Sequence, residues 1–247
     1  MEINMTLQGQ ASRPLGLRER NKRDKLKRIK DAASALFVAK GFDDTTTREI
    51  ALRAGVGLGT VFVYAENKRD LLFLIINDQL DKVTQSAQSA VDPAASLIDN
   101  LLNVAELHYR FFGELPALSR LALREMIFYE TGAQAGRFQN TRQHLIELFG
   151  QAVGLAKAQN GIVTKESASF VGWIIFSIFQ VELRRWLSSD ELDLNAGLRS
   201  LERALALLIN GMKPKPKALR RRIDLAENAS DSRQPKSPPR RRSTARS

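Results

Sequence analysis

The 247-residue sequence contains no cysteine, which excludes a disulfide scaffold and thiolate metal sites and suits a reducing compartment. Histidine is nearly absent too. His108 and His144 are the only two and lie far apart along the chain, so no histidine pair at ligand spacing marks a metal centre. There is no glycine-rich phosphate loop and no nucleophile elbow. The longest apolar run, FVGWIIFSIF at 170 to 179, is far short of the ~20 residues that span a bilayer. The amino-terminal MEINMTLQGQ has no apolar core preceded by positive charge and does not read as a secretory signal. Together these absences lead us to expect a cytoplasmic protein with no metal, no cofactor, no membrane association and no visible catalytic set.

What is present is charge at the two ends. The formal net charge is +11, yet residues 1 to 30 carry nine basic and three acidic side chains, and residues 213 to 247 carry twelve basic and three acidic. The stretch between them is mildly acidic. A positive field confined to the ends predicts that one or both meet a polyanion.

Residues 1 to 17 mix Gly, Gln, Ser and Pro14 without periodicity and read as a mobile arm. From residue 18 the pattern is helical. Leu26, Ile29, Ala33, Leu36 and Phe37 recur at helical spacing among six Lys and Arg residues, with Gly41 as the stop. Thr46 opens Thr-Thr-Arg-Glu, a capping-box pattern, before a short helix that ends at Gly55. A second short helix is expected from Leu58 to about Tyr64, and a long one from Lys68. Asp92-Pro93 reads as an N-cap with proline at the first helical position, opening a helix towards Gly113. Further helices are expected at about 115 to 129, 136 to 159, 164 to 188 and 194 to 210. No stretch alternates with period two, so the fold class is all-α. After residue 212 the sequence turns rich in Pro, Ser and Arg and reads as a disordered tail. Its clusters at Arg220 to Arg222 and Arg240 to Arg242 fit either a solvated extension or a non-specific DNA tether.

Two short helices joined by a glycine turn form either a helix-turn-helix or a plain helical corner. Ala51 is small where the helices cross, Gly55 sits where the turn needs a positive φ, and Val56 and Val61 are placed to lock the second helix onto the first. Gly59 and Thr60 would let the backbone approach phosphate, and the preceding helix supplies cations for it.

The run GFDDTTTREIALRAGVGLGTVFVYAENKRDLL resembles the DNA-binding signature of TetR-family transcriptional regulators. The resemblance implies a three-helix helix-turn-helix domain at 18 to 67, followed by a helical effector-binding and dimerisation domain at 68 to 212. It places Thr46, Thr47 and Arg48 near DNA, and Leu58, Gly59, Thr60, Val63 and Tyr64 on the recognition helix. Lys68 becomes a further phosphate contact. Phe62 stands where the family commonly has Tyr, and Ala65 replaces the usual aromatic. Leu58 and Val63 are apolar where many relatives are polar or basic, so they suit thymine methyls but not the bidentate hydrogen bonds that identify guanine or adenine. Polar readout would then fall to Arg48 and to a minor-groove arm with Arg18 and Arg20, although Arg48 suits a plain phosphate contact equally well.

The last helix carries Leu194, Leu198, Leu201, Leu205 and Leu208 in a heptad-like seam. The helix before it is apolar around nearly its whole circumference, and such a helix must be covered on all sides. With the resemblance, this implies a homodimer in which Ile174, Ile178, Val181 and the leucine seam form the interface. It also implies an effector pocket between helices. Aromatic and sulfur side chains cluster around His108, Phe111 and Phe112, around Met126, Phe128 and Tyr129, and around Trp173 and Phe176. With Arg124 these are the candidate lining, although core packing explains the same spacing. The function implied is a repressor that binds a double-stranded DNA operator as a dimer and is released by a small hydrophobic or amphipathic effector. The alternatives are a ligand-independent DNA-organising protein and an all-α enzyme whose site is assembled from distant residues.

Overall fold

The computed structural model describes residues 16–210; the expectations for most of the amino-terminal arm and for the basic tail lie outside them. The described residues form helices α1 (Leu17–Lys40), α2 (Thr47–Ala54), α3 (Leu58–Phe62), α4 (Lys68–Gln88), α5 (Leu97–Glu114), α6 (Pro116–Glu125), α7 (Ala135–Ala158), α8 (Ala168–Leu187) and α9 (Leu194–Asn210). There is no strand among them, and the all-α class stands.

Several boundaries differ from the sequence expectation. α1 starts at Leu17, so Arg18 and Arg20 lie in its first turns and not on a separate minor-groove arm. The Gly16 carbonyl accepts from the amides of Glu19 and Arg20 at 3.0 and 3.1 Å, and Glu19 complements the positive end of the helix. α5 starts at Leu97, where the Ser96 hydroxyl accepts from the Asp99 amide at 3.2 Å. Asp92 instead turns the chain, accepting from the Ala94 amide at 2.8 Å and pairing its backbone with the Asn100 amide group. α6 ends at Glu125 and not near 129. α8 starts at Ala168 and not 164, because the Ser167 hydroxyl accepts from the Phe170 amide at 3.1 Å.

Helices α1 to α3 form a head around Ile29, Ala33, Phe37, Ile50 and Val61. α4 runs from this head into a body built with α5, α6, α7 and α8. The α7–α8 pair packs most closely, because Gly172 lets α8 sit directly on the backbone of Gly150. One compact unit runs to Leu205, within α9. Leu201 and Leu205 are fully buried, which corrects their place in the leucine seam: they are spent on the chain's own core.

Candidate functional site

The helix-turn-helix corner is fixed by short-range bonds. The Thr46 hydroxyl accepts from the Glu49 amide at 3.2 Å, and the Glu49 carboxylate accepts from the Thr46 amide at 2.8 Å, closing the capping box. Glu49 also pairs with Lys40, and these partners hold its carboxyl at about 2, with the Lys40 contact the largest cause. At the end of α2, Gly55 has φ 62 and ψ 42, the left-handed geometry that glycine adopts without strain. The Val56 amide then donates to the Ala51 carbonyl at 3.1 Å. Ala51, Ala54 and Val61 are buried between α2 and α3.

This turn leaves one surface of α2 and α3 open. Arg48, Leu52, Arg53, Gly59 and Phe62 are exposed, and Val63 is 75% exposed. Thr47, Leu58, Thr60 and Tyr64 are half-buried and Thr46 is exposed. α3 is shorter than expected, so Val63 is its cap and Tyr64 follows it. Arg18 and Arg20 are exposed at the start of α1, where Lys22, Arg23, Lys25 and Arg28 are exposed as well. Lys68 is differently engaged. Its ammonium donates to the carbonyls of Phe42 and Asp43 at 2.7 and 2.8 Å and sits 4.8 Å from the Phe42 ring centroid. Two of its three donors therefore close the α1–α2 turn, and one remains.

Sequence reasoning missed Asp70, which fastens this corner to the body. Its carboxylate is fully buried and accepts from the Glu66 amide at 2.9 Å, the Ala133 amide at 3.0 Å and the Tyr129 hydroxyl. Gly132, at φ 130, passes so close that a β-carbon would overlap the carboxylate. Ala65 is buried beside this junction. Two ion pairs run the same way: Arg69 to Glu125 at 3.0 Å and Arg124 to Asp43 at 3.3 Å.

α4 continues from this junction to an apolar cavity, where Leu80 and Thr84 form part of the wall. His108, Phe112, Leu123, Met126, Phe138, Thr141, Arg142, Leu145, Phe176, Phe179, Gln180 and Leu183 complete it. The open space is about 30 Å³, room for about one or two water molecules, so a ligand must part the helices to enter. Beside it lies a polar hollow of about 530 Å³, lined by Met126, Ile127, Glu130, Gln139, Arg142, Gln180 and Arg184. Met126, Arg142 and Gln180 belong to both walls.

His108 is fully buried in the cavity wall. Its Nδ1 lies 2.8 Å from the Val104 carbonyl, and its Nε2 lies 3.1 Å from the Thr84 hydroxyl. A carbonyl only accepts, so Nδ1 carries the proton and neutral Nε2 accepts from Thr84. Burial lowers the imidazole pKa from 6.5 to about 4. The unfolded chain therefore takes up this proton first as pH falls. His108 should cost on the order of 3 kcal/mol of stability between pH 6.5 and 4, with no further loss below 4. Denaturant titrations from pH 7 to 4 on wild type and His108→Gln check this, because the variant should lose that part of the slope.

Of the expected pocket residues, His108, Phe112, Met126 and Phe176 line the cavity. The others do not. Phe128 is 81% exposed and Trp173 50% exposed, because the chain leaves α6 before Phe128 and the Trp173 side of α8 is bare. Tyr129 stacks on Phe73 with centroids 4.0 Å apart and serves Asp70. Arg124 is engaged with Glu125 and Asp43, and Phe111 packs on Phe112 outside the wall. Phe138, Thr141, Arg142 and Gln180 went unseen in the sequence. Among the expected interface residues, Val181 is exposed, Leu208 is 39% exposed, and Ile174, Ile178, Leu194 and Leu198 are half-buried. Among the described residues, no group of three or more His, Asp or Glu side chains is placed to hold a metal ion, and no helix is long and apolar enough to cross a membrane.

Comparison with known proteins adds to this geometry. Residues 29–75 match the family described as bacterial regulatory proteins, tetR family. The chain is 26% identical over 109 residues to the fatty acid metabolism regulator protein of Bacillus subtilis, covering 43% of this chain and 56% of that one. The match thus spans little more than half of that relative. It is 24% identical over 195 residues to the HTH-type transcriptional repressor KstR of Mycolicibacterium smegmatis, covering 79% of this chain and 91% of that one. In fold it is similar to the transcriptional regulator FadR of Bacillus subtilis, crystallised with stearoyl-CoA, at a TM-score of 0.61 and 19% identity over 75% of this chain and 98% of that one. The fatty acid degradation regulator FadR of Bacillus halodurans superposes at 0.57 with 20% identity, over 76% and 99%.

Proposed function

We propose that the chain, whose residues 29–75 match the tetR family of bacterial regulatory proteins, is a dimeric, ligand-responsive DNA-binding repressor of that family. The observation that carries this reading is the corner itself: a capped α2, a left-handed Gly55 and an exposed α3 beside a basic α1. Arg48, Thr60, Val63 and Tyr64 face the DNA, and Thr46, Thr47, Leu58, Gly59 and the free donor of Lys68 flank them. Arg18 and Arg20 act from the first turns of α1 as phosphate contacts.

The body supplies pairing and sensing. The bare side of α8, with Trp173 and Val181 exposed, and the outer residues of α9 pack against a second copy. The effector enters the narrow cavity, spreads the helices and moves α4, which joins the cavity to the reading head. Since a relative's structure holds stearoyl-CoA, an effector of that amphipathic kind is the reading we adopt.

A footprint on DNA flanking the coding sequence, repeated at several salt concentrations, tests the proposal. A discrete, roughly palindromic protected site is expected, and Arg48→Ala should weaken it by about 1–3 kcal/mol. Uniform coating that vanishes with salt would instead favour a DNA-organising protein.

A further inference from the structure

The wall of the polar hollow holds two arginines, Arg142 and Arg184, that form no ion pair among the described residues. Arg142 lies 5.3 Å from the Phe176 ring centroid, and among the described residues its side chain hydrogen-bonds to Gln139 alone, at 3.5 Å. Arg184, one turn beyond Gln180 on α8, has a buried Nε with no hydrogen-bond partner among the described residues. Neither guanidinium meets a carboxylate within ion-pair distance among the described residues, although Glu130 lines the same hollow. Burying a guanidinium N–H without an acceptor is costly, and here two arginines converge on a polar hollow whose inner wall is shared with an apolar cavity.

We propose that this hollow is a head-group subsite for the anionic end of a straight-chain amphiphile. The head, a carboxylate or a phosphate, binds between Arg142 and Arg184 with Gln180 as a further donor. Its chain passes Met126 into the apolar cavity, whose neutral His108 carries no charge for an alkyl chain to meet. This deepens the effector reading above and rests on it. Arginine suits the role because its planar fork grips carboxylate or phosphate oxygens in pairs. The two sources of negative charge differ in size, which makes them separable.

Calorimetric titration of the purified full chain, without DNA, tests the site with four probes: dodecanoate, dodecanoyl-CoA, 1-dodecanol and CoA alone, all below micellar concentrations. At least one anionic dodecyl probe is expected to bind at least ten times more tightly than dodecanol. Arg142→Gln and Arg184→Gln should each weaken that probe by roughly 10- to 100-fold and leave dodecanol unchanged. Binding of the thioester alone assigns the phosphate, and binding of dodecanoate alone assigns the carboxylate. Dodecanol binding as tightly as the anions, CoA binding as tightly as its thioester, unaltered affinity in both variants, or no binding of any probe would overturn the subsite. So would an Arg184→Gln protein that sediments as a monomer where wild type is dimeric, since the arginine then serves the subunit contact. The operator footprint is a separate measurement, so failure of this subsite and failure of the regulator reading are told apart.

Discussion

Replacing Asp70 by alanine is expected to lower the unfolding free energy by about 3–5 kcal/mol and to weaken operator binding with it. The carboxylate has no exposure and accepts from the Glu66 amide, the Ala133 amide and the Tyr129 hydroxyl. Alanine would leave all three donors facing each other around a void that Gly132 is shaped to skirt. Asparagine keeps the volume but brings an NH₂ group towards N–H donors, so it should rescue little. Tyr129→Phe removes one donor and leaves the acceptor with two partners, and its expected cost is about 1 kcal/mol. Denaturant unfolding of the three variants gives the order, and operator titration at a temperature where each remains folded isolates the effect on the head. Equal stability of Asp70→Ala and Tyr129→Phe would show that the carboxylate does not hold the junction.

Gly172→Ala is expected to cost about 3 kcal/mol or more, although alanine is the better helix former. A β-carbon at position 172 would lie 2.5 Å from the Gly150 nitrogen and 2.7 Å from its Cα. These are backbone atoms of α7 and cannot swing away, so α7 and α8 must separate. Because α8 also carries the bare face proposed to pair with a second copy, the same change should weaken assembly. Gly154→Ala is the control. Its nearest neighbour would be the Ala168 β-carbon at 3.9 Å, ordinary contact, so that variant should be neutral or more stable by up to about 1 kcal/mol. Thermal unfolding with sedimentation velocity reads both quantities. A Gly172→Ala protein as stable as Gly154→Ala would rule out the tight crossing.

The reading head was legible in the sequence because its signals are local. Thr46 and Glu49 are three residues apart, and Gly55 acts at a single pair of dihedral angles, so each can be judged without knowing what lies across the fold. The start of α5 was misplaced: Asp92-Pro93 reads as a cap with proline at the first helical position, while the cap that opens the helix is Ser96 with Asp99. Tertiary structure decided everything that depends on which side of a helix faces which neighbour. The aromatic clusters had helical spacing whether they filled a core, lined a cavity or met solvent. Phe176 and Phe128 therefore looked alike in sequence and ended in opposite environments.

In the same way the leucine seam of α9 was real as a pattern, yet Leu201 and Leu205 turned into the chain's own core. A period of 3.5 fixes that a face is apolar but not what covers it. Asp70 shows the limit most sharply. Nothing within four residues distinguishes it from an ordinary first-turn acid, and its partners Tyr129 and Ala133 come from some 60 positions away. By itself, then, the sequence determined the helices, the turn of the reading head and the charge at the two ends, since these follow from neighbours along the chain. The cavity wall, the buried junction and the meeting of Arg142 with Arg184 at one hollow came only with the packing, because burial is a property of the whole fold and no short segment holds it alone.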